Sequence, residues 1–153
     1  MTDPKQKVRT CLWFDGNGHE AARFYVSLLP DSRIENEWRG DPPLVVEFTL
    51  AGAPMMILNG GPHYKLNPAA SISVLTKDQA ETDRLWAALL AGGGEESMCG
   101  WLVDRFGVSW QITPEALMGM QGSEDQVAAE RARQAMYKMR KIDIATLEAA
   151  FRG

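Results

Sequence analysis

Histidine is scarce in this chain: 153 residues contain only His19 and His63. A shortage of imidazole removes the commonest metal ligand and the commonest general base from most positions. Cysteine is equally sparse. Cys11 and Cys99 are too few for a disulfide scaffold and read as reduced thiols of a cytoplasmic protein. No apolar run approaches the ~20 residues that a membrane-spanning helix needs, so no membrane partner is expected. Met1 to Lys7 is polar and lacks the apolar core of a signal peptide. Basic charge is not in excess either. Sixteen Lys and Arg stand against 20 Asp and Glu, a net charge of −4, which gives no basis for a nucleic-acid partner. Lys138, Arg140 and Lys141 do gather late in the chain, where they read as a solvated helix end.

What is present is the material of a globular α+β protein. Hydrophobic residues make up 45% of the chain, enough to predict a single packed domain over residues 1–153. Val8 to Phe14 has strand composition and ends at the turn pair Asp15-Gly16. Asn17 with Glu20 three residues on predicts a capped helix, carried by Ala21, Ala22, Tyr25, Leu28 and Leu29 and stopped by Pro30. Three strand-like stretches follow: Arg33 to Trp38, Leu44 to Leu50 and Pro54 to Asn59. Ala51-Gly52-Ala53 reads as a hairpin turn between the last two.

The order then repeats. After Gly60 to Pro68, Ser71 to Leu75 reads as a strand, and Asp78 with Glu81 as a cap. Leu85, Trp86, Leu89 and Leu90 form a helical stripe that Gly92-Gly93-Gly94 ends. Short strands are expected near Glu95 to Met98, at Trp101 to Asp104 and at Val108 to Thr113. The chain therefore reads as two βαβββ modules, about 8–60 and about 70–113, followed by a helical tail of about 114–153. In that tail Val127, Ala128, Ala132, Ala135, Met136 and Met139 are expected on one side of a helix. Asp143 is expected to cap a last helix bearing Ile144, Leu147 and Phe151.

Several short motifs carry a family resemblance: Cys11-Leu12-Trp13-Phe14-Asp15-Gly16, Phe24-Tyr25, Asn59-Gly60-Gly61-Pro62-His63, Cys99-Gly100-Trp101-Leu102, and Asp104 through Gln111. Met139 to Ile144 adds to them. Over about residues 8–152 the chain resembles the PhnB-like branch of the vicinal oxygen chelate superfamily, which also holds glyoxalase I, extradiol dioxygenases and bleomycin-resistance proteins. The resemblance implies paired βαβββ modules in a cupped mixed sheet, and usually a homodimer. Members of the branch are often labelled 3-demethylubiquinone-9 3-methyltransferases. The sequence does not support that label, because no Gly-rich loop is read as following a strand and opening a helix, as a nucleoside cofactor would require.

Metal-dependent members of the superfamily place His or Glu on the first and last strand of each module. Matching the motifs puts Thr10 and Ser71 at two of these positions, Gln111 at a third, and an apolar residue within Met55 to Leu58 at the fourth. Neutral oxygens do not offset the dehydration of a divalent ion, so neither a metal nor another cofactor is expected.

Alternation along the strands separates an apolar from a polar face. Val46, Phe48 and Leu50 oppose Val45, Glu47 and Thr49; Ile72 and Val74 oppose Ser71 and Ser73; Val108, Trp110 and Ile112 oppose Ser109, Gln111 and Thr113. The polar sets are expected on an open, concave face. That predicts a small-molecule site built from Thr10, Glu47, Asn59, Ser71, Ser73 and Gln111, with His63 at its rim and Trp101 on its wall. Trp13, Trp86 and Trp110 are read as core. A wetted sheet face without a ligand remains the plain alternative. The functional reading is a metal-free binding protein that sequesters or senses a polar organic ligand. Beside it stand an enzyme of the same superfamily (lyase, isomerase or dioxygenase-like) and a mainly structural dimeric module.

Overall fold

The structure, a computed structural model, describes residues 6–38 and 40–153. Part of the polar N-terminal stretch, residues 1–5, lies outside the described residues. The chain forms two compact units that meet in sequence between Leu66 and Asn67.

The first unit follows the expected order. Strand β1 (Thr10–Phe14) leads into helix α1 (Gly18–Leu28), then β2 (Arg33–Trp38), β3 (Val45–Leu50) and β4 (Ala53–Asn59). The sheet order is β1-β4-β3-β2, with β1 parallel to β4 and the other pairs antiparallel. Helix α1 covers one face. Its Ala21, Ala22 and Tyr25 are buried, and so are Leu12, Phe14, Val46, Phe48, Met55 and Ile57 of the strands. Each large apolar side chain removed from water in this way contributes about 1.5–3 kcal/mol. The helix ends as the sequence predicts: Leu29, preceding Pro30, is already extended.

The start of α1 differs from expectation. Asn17 makes no side-chain cap. The first-turn donor Gly18 N–H is instead taken by Asn59 Oδ1 from the end of β4, at 2.8 Å. Gly18 permits this close approach, since a Cβ there would lie 2.1 Å from the Ile57 side chain. The cap is supplied across 41 residues of sequence, which a local pattern does not display.

The second unit repeats the plan with β5 (Ser71–Thr76), α2 (Gln79–Leu90), β6 (Glu95–Glu96), β7 (Trp101–Val103) and β8 (Ser109–Pro114), in sheet order β5-β8-β7-β6. Here the local cap forms: Asp78 accepts from Glu81 N at 2.9 Å, and Glu81 accepts from Lys77 N at 3.1 Å. Leu85, Trp86, Leu89, Leu102, Trp110 and Ile112 make the core. The β7–β8 turn is organised by Asp104. Its carboxylate accepts from Phe106 N, Val108 N and Trp110 Nε1 at 2.8, 3.0 and 2.9 Å. Strand β6 has two residues, shorter than the sequence suggests, because Ser97 onward turns to meet the tail.

The tail belongs to this unit. Helices α3 (Glu115–Gln121), α4 (Gln126–Met136) and α5 (Ile144–Arg152) enclose Leu117, Ile142 and Leu147, with Met120, Ala135, Met136 and Met139 around them. Asp143 caps α5 as expected, accepting from Thr146 N. Cys99 N and Gly100 N donate to Met139 O and Arg140 O at 2.8 and 2.7 Å. The Gln79 amide clamps the entry to α5, donating to Ile142 O at 3.0 Å and accepting from Ile144 N at 2.8 Å. Val127, expected on the apolar side of α4, is instead 68% exposed.

Asn59→Ala removes both the α1 cap and a 2.8 Å bond to Pro43 O. It is expected to lower unfolding stability by about 1–2 kcal/mol. Urea denaturation, with the midpoint falling at unchanged slope, checks this; an unshifted midpoint contradicts it.

Candidate functional site

Each sheet carries its helix on one face only, so the second face is where chemistry can be placed. In the first unit the register sorts that face into rows. Trp13, Leu58, Val45 and Trp38 form one row across all four strands. Cys11, Met56, Glu47 and Asn36 form the next. Thr49 and Arg33 lie in a third, reached by Arg9 just before β1. The face therefore grades from aromatic and aliphatic to charged.

The charged end is a closed network. Arg9 donates to Phe48 O and Met55 O, each at 3.1 Å. It also pairs with Glu35, which accepts from Thr49 Oγ1 and lies 3.5 Å from Arg33. Glu35 sits at a bulge, since the β2–β3 register shifts between Ile34 and Asn36. The Thr49 hydroxyl first, then the Arg9 and Arg33 guanidiniums, hold the Glu35 carboxyl below its ordinary value. Glu47 is less engaged. Its Oε2 lies 3.8 Å from Arg9 Nε and 3.4 Å from Asn36 Nδ2. In the same row, burial pushes the Cys11 thiol up, which keeps it protonated and a weak nucleophile.

On the second unit's open face the row Ser73, Gln111, Trp101 lies beside the row Ser71, Ser109, Val103. Gln111 Nε2 donates to Ser71 Oγ at 2.9 Å. Ser109 is 2% exposed, and its hydroxyl has no hydrogen-bond partner among the described residues. These side chains are neutral, and the second row ends in the exposed carboxylate of Glu95 on β6.

The predicted site residues thus divide. Ser71, Ser73, Trp101 and Gln111 do share one face, and Glu47 lies on the open face of the other sheet. Thr10 does not join Glu47. It pairs with Met55 and shares the face of Leu12 and Phe14, whereas Cys11 lies on the open face with Glu47. Asn59 has structural work, accepting from Gly18 N and donating to Pro43 O. His63 is exposed in the loop after β4. Trp13 is not core: it lies half-buried on the open face, donates from Nε1 to Gly61 O at 2.9 Å, and meets the Tyr64 ring at 4.9 Å. Gly60 allows this, because a Cβ there would lie 2.3 Å from the indole. Counting Trp13 with Cys11 rather than with Leu12 would have found it. Ser109 was legible as a face residue, but its burial was not.

The residues present do not fit a divalent metal. Among the described residues no three His, Cys, Asp or Glu side chains converge, and the open-face strand positions carry Cys11, Met56, Ser73 and Gln111. A nucleoside cofactor fares no better. Gly16 and Gly18 do follow β1 and open α1, contrary to the reading that no such loop exists, but Asn59 already occupies the helix start. No helix among the described residues is long and apolar enough to cross a membrane.

The Glu35 network makes stability depend on pH. A carboxyl whose folded value lies below its ordinary 4.5 stabilises fully above that value and progressively less as pH falls below it. The Glu35→Gln variant is expected to be less stable than wild type at neutral pH and to lose less stability on acidification. Urea midpoints between pH 7 and about pH 3 (from well above the carboxylate range to about one unit below it) check this; parallel curves for the two proteins contradict it.

Comparison with known proteins places the chain. The family model described as 3-demethylubiquinone-9 3-methyltransferase matches residues 6–113. Among solved structures, a PhnB protein from Bacillus cereus is 32% identical, over 71% of this chain and 99% of that one, with a TM-score of 0.65. A protein from Pseudomonas aeruginosa is 25% identical over 72% and 98%, with a TM-score of 0.59. One from Arabidopsis thaliana shares the fold at 18% identity over 72% and 99%, with a TM-score of 0.51. No curated protein matches. On the extent of the family match and the likeness to the Bacillus protein, the chain belongs to the PhnB-like family that carries the 3-demethylubiquinone-9 3-methyltransferase description.

Proposed function

We propose that the protein binds a small polar organic molecule on the open face of its second sheet, sequestering or sensing it in the manner of metal-free proteins of the glyoxalase/bleomycin-resistance type. The observation that carries this is the Gln111–Ser71 pair beside the orphaned Ser109 hydroxyl. A buried hydroxyl without a partner costs about 1–3 kcal/mol, and a ligand that pairs it recovers that cost. Gln111 commits one amide hydrogen to Ser71, which leaves its second hydrogen and its carbonyl oxygen for a ligand. Ser71 accepts that bond and keeps its own O–H to donate. Trp101, in the same row as Gln111, supplies a flat apolar wall, and Ser73 a further hydroxyl.

Neutral donors and acceptors suit amide, carbonyl and hydroxyl groups rather than a phosphate or a carboxylate. They also favour binding over turnover, since the carboxylate that shares this face, Glu95, lies two strands away from Ser109 on β6. The proposal includes a homodimer in the cytoplasm. Exposed Met118, Val127 and Tyr137 on the tail helices, at 51%, 68% and 51%, give apolar surface that a second copy can cover.

A thermal-shift screen of neutral amides, lactams and polyols on wild type and Gln111→Leu tests the reading. Hits that raise the wild-type melting temperature are expected, with roughly fivefold or weaker affinity in the variant. If no compound shifts the wild type, or every hit binds the variant equally, the proposal fails.

A further inference from the structure

The first unit's open face has a different chemistry, and it stands without any assumption about the second. Its Trp13–Leu58–Val45–Trp38 row is apolar across the whole sheet, and Trp38 is 42% exposed. One row along, about 7 Å away on the same face, lies Glu47. The charges around Glu47 do not cancel. Arg9 gives one guanidinium to Glu35 and to two backbone carbonyls, leaving only its Nε, 3.8 Å away, for Glu47. Arg33 lies on Glu35. Glu47 Oε1 accepts no hydrogen bond among the described residues, and the side chain is 15% exposed. A mostly desolvated carboxylate with one oxygen unfilled, set beside an aromatic row, is complementary to a cation with a flat apolar body.

We infer that the open face of the first sheet binds an amphipathic organic cation, with its ammonium or amidinium nitrogen on Glu47 Oε1 and its apolar body along the Trp13–Leu58–Val45 row. The Arg9–Glu35–Thr49 network then acts as a positioning group. It fixes the strand ends on either side of Glu47 and keeps Arg9 from neutralising it fully. Anions are disfavoured by the same arrangement, because the Glu47 and Glu35 carboxylates stand together there and Arg9 is committed to Glu35 and to two backbone carbonyls.

Isothermal titration of the full chain with naphthylmethylammonium, naphthylmethanol and naphthoate tests this. These probes share a ring and differ in charge. The ammonium is expected to bind tightest and naphthoate weakest. Glu47→Gln is expected to weaken the ammonium about tenfold while leaving the alcohol unchanged. Equal affinity for all three, no binding by the ammonium, or an unchanged ammonium affinity in Glu47→Gln each overturns the inference. Should the variant fail to fold, the wild-type ranking decides: an ammonium that binds no tighter than the alcohol is a refutation. Gln111→Leu is the control. It lies on the other sheet, and its effect on neutral ligands succeeds or fails separately from the Glu47 result.

Discussion

A four-stranded sheet that carries one helix can bury one face, and nearly everything else in this protein follows from that limit. The chain meets it twice. In each βαβββ unit the buried face is filled by alternate residues, Leu12, Phe48 and Ile57 in one and Leu102, Trp110 and Ile112 in the other. Because the side-chain period is two, the intervening residues are forced to the opposite face whether or not they have work to do there. The open faces are therefore a consequence of folding first, and the chemistry they carry is what the intervening positions happen to hold.

Those positions hold unlike sets. The second unit presents Ser71, Ser73, Ser109 and Gln111, all neutral, beside Trp101. The first presents an aromatic row, a lone under-used carboxylate at Glu47, and a saturated ion network around Arg9. The difference lies in hydrogen-bond accounting rather than in residue type. Glu35 and Glu47 are both largely buried acids on adjacent strands, yet Thr49, Arg9 and Arg33 surround one, while only one oxygen of the other is approached by Arg9 and Asn36.

The same accounting gives some residues structural work. Asn59 looks like a binding residue by type and by motif, but both ends of its amide are bonded to Gly18 and Pro43. Gln79, which no pattern singled out, holds the tail helices through two backbone bonds more than 60 residues away. The helical tail packs within the second unit, so its Leu117–Ile142–Leu147 core is internal. Only its outward residues, such as Val127, remain to meet another molecule.

The amino-acid sequence by itself determined the element order, the two-module plan, the Asp78 and Asp143 caps and the apolar face of most strands. Each of these is written within a few residues, in turn pairs, capping spacings and alternation. The family was legible too, from short motifs such as Asp104 to Gln111, where one carboxylate organises a whole turn. What only the tertiary structure decided was which polar groups remain free. Thr10 against Cys11 depended on a one-residue register, Trp13 on a contact with Gly61, and Asn59 on a cap 41 residues distant. Register and long-range hydrogen bonds join segments far apart in the chain, so no local pattern encodes them, and they alone set which side chains a ligand can reach.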